Sequence, residues 1–156
     1  MDFKGSFQVS ADAKRAWSII SNANEFSKCL PDVNSAEING DAFNLVFSPD
    51  MSKYTDKFLG ASYLSNIRIK FQGSIKNKQE LKHAEMEGKG SAAGLKFSLS
   101  IIIDIDDNKN PIEINWRATI EVGGLAKIFG EAVITEAIKT TVDTVISSIK
   151  ARIESK

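Results

Sequence analysis

Apolar and polar residues alternate along the chain as far as Val122, and beyond it the period changes. Phe3, Gly5, Phe7 and Val9 against Asp2, Lys4, Ser6 and Gln8 predict a half-buried opening strand. Ser10 is placed to cap a short helix with Ala13, Ala16, Trp17 and Ile20 on one face, followed by a second short turn carrying Phe26 and Leu30 and stopped by Pro31. Val33 to Ile38 and Ala42 to Phe47 read as a hairpin about Asn39-Gly40-Asp41. Ser48 to Ser65 keeps no period and is expected to be a mobile loop. Alternation resumes through Ile67 to Ile75, then Leu81 to Gly88, with Ala84 and Met86 inward and His83, Glu85 and Glu87 outward. Leu95 to Ile105 and Ile112 to Val122 follow, joined by the turn formers Asp106 to Pro111.

From Leu125 onward Ile128, Phe129, Ala132, Val133, Ala137, Ile138, Val142, Val145, Ile146, Ile149 and Ile153 fall at the i, i+3, i+4, i+7 spacing of a helix with one buried stripe. The order predicts an α+β fold: a curved antiparallel sheet of about seven strands around a long C-terminal helix, two short helices after the first strand, and one domain over residues 1–156. Trp17, Phe71, Met86, Phe97, Ile101, Trp116, Ala118, Ile120, Phe129, Val133 and Ala137 should converge between sheet and helix. From the residues alone they fit plain core and cavity wall equally well. In the cavity reading the first half of the helix covers the space and Val142 to Ile153 packs as core. The small residues from Gly88 through Gly90 to Gly94 read as a hairpin that gates the mouth together with the Ser48 to Ser65 loop.

Charge and candidate chemistry narrow the choice. Twenty Lys and Arg balance twenty Asp and Glu, so nothing attracts nucleic acid, and neither a clustered basic stretch nor an apolar run of spanning length predicts stable membrane insertion. A single cysteine and no leader pattern predict a cytoplasmic protein. His83, the only histidine, is assigned to the wet face, and Cys29 has only Lys28 beside it in sequence to lower its pKa. The glycine string fits no phosphate-loop spacing, and Asp104, Asp106 and Asp107 lack a calcium-loop frame. No catalytic group, metal site or cofactor is expected.

Several strings coincide with one family. Phe3-Lys4-Gly5, Ser10-Ala11-Asp12-Ala13 leading to Trp17, Cys29-Leu30-Pro31, Phe71-Gln72-Gly73, Gly88 to Gly94, and Val122-Gly123-Gly124-Leu125-Ala126 with Phe129-Gly130 resemble the carbon monoxide dehydrogenase G-subunit family, a START-like (SRPBCC) helix-grip branch. The resemblance covers nearly the whole chain. It implies a lipophilic cavity, moves the apolar set toward cavity wall, and links the chain to the maturation or membrane attachment of molybdenum hydroxylases. The Ser48 to Ser65 loop is longer than the family's, and the chain stops at Lys156 without the hydrophobic tail of many relatives. The expected function is non-enzymatic binding of a hydrophobic small molecule, lipid or quinone-like, in service of a redox enzyme complex. A polyketide-cyclase or aromatase-like enzyme and a ligand-free protein assembly factor are the alternatives, the first of which requires an inward ionisable group.

Overall fold

The computed structural model of the chain describes residues 1–48, 68–92, 94–124 and 131–155. Seven strands, β1 (Asp2–Val9), β2 (Val33–Asn39), β3 (Ala42–Phe47), β4 (Ile69–Gln79), β5 (His83–Ala92), β6 (Leu95–Asp106) and β7 (Ile112–Gly124), form one sheet in the order β1-β7-β6-β5-β4-β3-β2. Every pairing is antiparallel. The short helices α1 (Ala13–Ile20) and α2 (Ala23–Ser27) follow β1, and α3 (Glu131–Glu154) closes the chain. The expected loop, from 49 on, and the expected helix start at 125–130 lie outside the described residues.

Alternation built this sheet because an antiparallel strand with one covered face buries every second residue. Along β7, Ile114, Trp116, Ala118 and Ile120 are buried while Arg117, Thr119 and Glu121 are exposed. Gly40 takes φ +63° in the β2–β3 turn, as an Asn-Gly hairpin requires. Asp12 caps α1, its Oδ1 accepting from Arg15 N at 2.8 Å. The expected cap, Ser10, instead donates its backbone N–H to Glu154 Oε2 at 2.9 Å.

That last bond belongs to a tie at the C-terminal end of α3. Arg15 donates from Nη2 to the carbonyls of Arg152 (2.9 Å) and Ser155 (3.1 Å) and from Nε to Ile153 O (3.3 Å), satisfying carbonyls a helix end leaves free. Arg152 pairs with Glu25 of α2 and holds its carboxyl below the usual carboxylate range. Val9, Ile19, Ile114 and Ile153, each 1% exposed, are part of the solid core under this end.

Candidate functional site

Away from that end, sheet and helix stand apart. Leu99, Ile101 and Ile103 sit mid-strand on the helix-facing side of β6, where a packed core would seal them, yet each stays partly exposed; two residues on, Ile105 is buried. A cavity of about 230 Å³ accounts for this. That exceeds a ~150 Å³ cavity able to take benzene and falls below the ~300 Å³ at which drug-sized pockets begin. It has room for a slim apolar group.

Of the eleven residues expected to converge, Phe71, Met86, Phe97, Ile101, Trp116, Ala118, Ile120 and Ala137 line this space. Trp17 does not; it packs against the core from α1, and Ile20 takes the wall position. Phe129 lies outside the described residues, as does the side chain of Val133. Sequence reasoning missed Leu99 and Ile103, although they share the parity of Ile101. On α3 the cavity wall continues through Val142, Val145 and Ile146 to Ile149. The expectation that Val142 to Ile153 is plain core is therefore corrected: the stripe is continuous, and the sheet beneath it, not the helix sequence, decides where packing becomes solid.

The glycines need a second correction. Gly88 and Gly90 are not in a hairpin but within β5, paired to β4 and β6, and only Gly94 (φ +83°) occupies the turn. Each lies under an aromatic ring from a neighbouring strand. A Cβ at Gly88 would strike the Phe71 ring, one at Gly90 the Phe97 ring, and one at Gly73 would come within 3.1 Å of Phe43 Cζ. The rings of Phe26, Phe43, Phe71 and Phe97 form a row with centroids 6.1, 5.8 and 6.0 Å apart, and the Phe71 and Phe97 planes differ by 3°. Alternation marked this strand only as far as Gly88, because its inward positions Gly88 and Gly90 carry no side chain and are covered by rings from neighbouring strands.

Among the described residues ionisable groups stay off the cavity. Glu85 borders it, but its carboxylate turns to the outer face and to His83, whose Nδ1 and Nε2 lie 2.7 Å from Asp104 Oδ1 and 3.1 Å from Glu85 Oε2. His83 faces outward as expected but is not simply solvated: its side chain is one-fifth exposed and clasped on both nitrogens. Asp104 first, then Glu85, raise its pKa above the ordinary 6.5. Cys29 is buried, its thiol pushed up to about 11 by burial, and donates to Glu25 O at 3.6 Å. Among the described residues no group of His, Cys, Asp and Glu is arranged to hold a metal ion, and no helix is long and apolar enough to cross a membrane.

The family of carbon monoxide dehydrogenase G subunits, CoxG, matches residues 5–154. No curated protein matches the chain. Among solved structures, a conserved protein from Geobacillus kaustophilus superposes with TM-score 0.79 at 15% identity, over 98% of this chain and 95% of its own. A START superfamily protein from Mycobacterium smegmatis gives 0.66 at 10% identity, over 98% and 97%. The di-domain ARO/CYC BexL gives 0.67 at 13% identity, over all of this chain and 50% of its own. At these identities the likeness is one of fold.

Proposed function

Because the chain belongs to the CoxG family of carbon monoxide dehydrogenase and has a START-like fold, we propose that it binds the apolar part of a lipid or quinone-like small molecule without transforming it. The site is the space between the sheet and α3. The ligand would serve a molybdenum hydroxylase of the carbon monoxide dehydrogenase type, in the cytoplasm and without stable membrane insertion. The partly exposed Leu99, Ile101 and Ile103 carry this reading, since apolar side chains packed against the core yet incompletely covered in mid-sheet gain from a guest that covers them. Each methylene moved from water into such a space gains about 0.8 kcal/mol, against several kcal/mol for the loss of free motion. Among the described residues the charged group of no side chain bordering the cavity is turned into it, which favours carriage over the acid–base work of a cyclase. Gly94 and the turn it serves remain the proposed edge of the mouth; Gly88 and Gly90 instead make room for the Phe71 and Phe97 rings that line the cavity.

Native mass spectrometry of the purified protein should show a co-purifying apolar molecule, and a fluorescent quinone analogue should bind. Ala137→Trp puts a ring into the α3 wall and should abolish both while the thermal midpoint holds. A badly unfolded variant, or a wild type with neither adduct nor binding, would overturn the proposal.

A further inference from the structure

The outer face of the sheet, turned away from α3, carries a groove of about 900 Å³. It crosses the strands from β2, at Ser35 and Glu37, to β7, at Glu121 and Gly123. Five strand spacings of about 4.8 Å make it about 24 Å long, the reach of roughly seven extended residues. At its centre six outward positions, Lys70 and Gln72 on β4, Lys89 and Ser91 on β5, and Lys96 and Ser98 on β6, hold three cations and no acid.

The strand register gathers the three lysines. Ser91 pairs directly with Lys70 on one side and with Lys96 on the other, and Lys89 stands two residues before it. Lys89 is therefore diagonal to both, at about 7–8 Å, close enough for long side chains of like charge to repel. None of the three has an ion-pair or hydrogen-bond partner among the described residues. Farther along β4, by contrast, Lys76 is paired with Glu87 and Lys78 with Asp41. Gly123, opposite Lys96, leaves the β7 end of the groove bare. A Cβ there would meet no described atom nearer than 4.0 Å, and its φ lies outside the left-handed region, so neither packing nor backbone conformation calls for glycine. A bare strand position of that kind lets another backbone approach closely.

From this charge pattern we infer that the groove docks an extended segment of a partner protein, about seven residues long, with its carboxylates at the centre. Such a segment supplies the counter-charges that Lys70, Lys89 and Lys96 lack. Glu37 and Glu121, themselves without a partner among the described residues, stand at the two ends and require the segment to finish in neutral or basic residues. The same two acids oppose an anionic bilayer, whose phosphates would cover the ends of the groove as well as its middle. A lone phosphate ion would occupy only a small part of a groove this long. The site lies behind the cavity wall and does not require that the cavity be loaded.

The test uses a capped peptide, Lys-Gly-Asp-Glu-Asp-Gly-Lys, and its neutral-centred counterpart with Asn-Gln-Asn in the middle. In wild type the acidic peptide should shift the backbone amide NMR signals of Lys70, Ser91 and Lys96, and its counterpart should bind about tenfold more weakly. The triple change Lys70→Gln, Lys89→Gln, Lys96→Gln should weaken the acidic peptide by a similar factor, about tenfold. Lys14, Lys82 and Lys150 are exposed, off the groove and without partners among the described residues, so changing all three to Gln removes equal charge and should leave binding as in wild type. Raising salt from about 50 to 300 mM should weaken the wild-type complex severalfold. Equal losses in the two triple variants, equal binding of the two peptides, or no shift around Ser91 would overturn the assignment. So would lysine-dependent flotation on phosphatidylcholine–phosphatidylserine vesicles by a protein that ignores the peptide. Each of these leaves the cavity reading intact, because binding of the quinone analogue reads that site separately. If the groove variant fails to fold, the wild-type shifts and the two peptides decide.

Discussion

Ile146 and Ile153 stand two turns apart on one stripe of α3, and truncating each to alanine should give unequal results. Ile153 is 1% exposed in the solid core, whereas Ile146 is partly exposed and borders the cavity. Ile→Ala removes about three methylene equivalents, near 2.4 kcal/mol of transfer free energy when the side chain is fully buried. A sealed site adds a void term, so Ile153→Ala should cost about 3–4 kcal/mol, inside the ~2–5 typical of such changes. Ile146 has already lost contacts on its open side, so about half the transfer term, near 1–1.5 kcal/mol, is the expected cost. Urea unfolding followed by far-ultraviolet circular dichroism reads the difference. With a slope of about 2 kcal/mol per molar, the midpoint should fall by about 1.5–2 M for Ile153→Ala and by well under 1 M for Ile146→Ala. Equal losses would mean that α3 is packed solidly along its length, and Leu99, Ile101 and Ile103 would no longer speak for a guest.

Two further outcomes follow from other parts of the sheet. Because His83 has a raised pKa in the fold, its clasp stabilises fully below the unfolded value of 6.5 and is lost as pH rises through the higher folded value; Glu85, lowered by His83, contributes above 4.5 and loses this as pH falls. The stability gap between wild type and His83→Ala should therefore be widest at about pH 5–6 and close toward pH 8, and a gap independent of pH in melting curves would disprove the ion-pair account. Gly90→Ala should destabilise by about 1–3 kcal/mol, since its Cβ would strike the Phe97 ring and lie 2.8 Å from Lys70 O, and a melt unchanged from wild type would show that the ring does not rest there.

The fold was legible because its elements announce themselves by period. Six of the seven strands and the long helix follow from residues spaced by two or by 3.6, and the β2–β3 turn from Asn39-Gly40. β5 was only half legible. Ala84 and Met86 mark its start, but Gly88 and Gly90 look like turn residues until the rings of Phe71 and Phe97, supplied by other strands, are set over them. The cavity is a similar case. Eight of its wall residues could be named, but nothing in a run of isoleucines tells whether the opposite wall touches them; that depends on how far α3 stands off. His83 was assigned the correct face by parity, while its partner Asp104 arrives through the β5–β6 register, which a single sequence does not print.

The seating of rings on glycines has a consequence for how this architecture can diversify. An aromatic ring resting over a bare strand position puts its bulk at the floor of the chamber and leaves headroom above; where an added Cβ would meet only that ring, exchanging the pair, so that the glycine position gains a side chain and the ring is trimmed, redistributes that bulk without moving a helix. Neither half of the exchange is tolerable alone, because one creates a clash and the other a hollow. Gly5 with Trp116 is thus a compound position, whereas at Gly73, Gly88 and Gly90 an added Cβ would also lie 2.6, 2.7 and 2.8 Å from the carbonyls of Glu87, Gln72 and Lys70, which trimming the ring leaves in place. Chamber depth would change in steps of one such pair, and lineages that differ in cargo should differ at both members together.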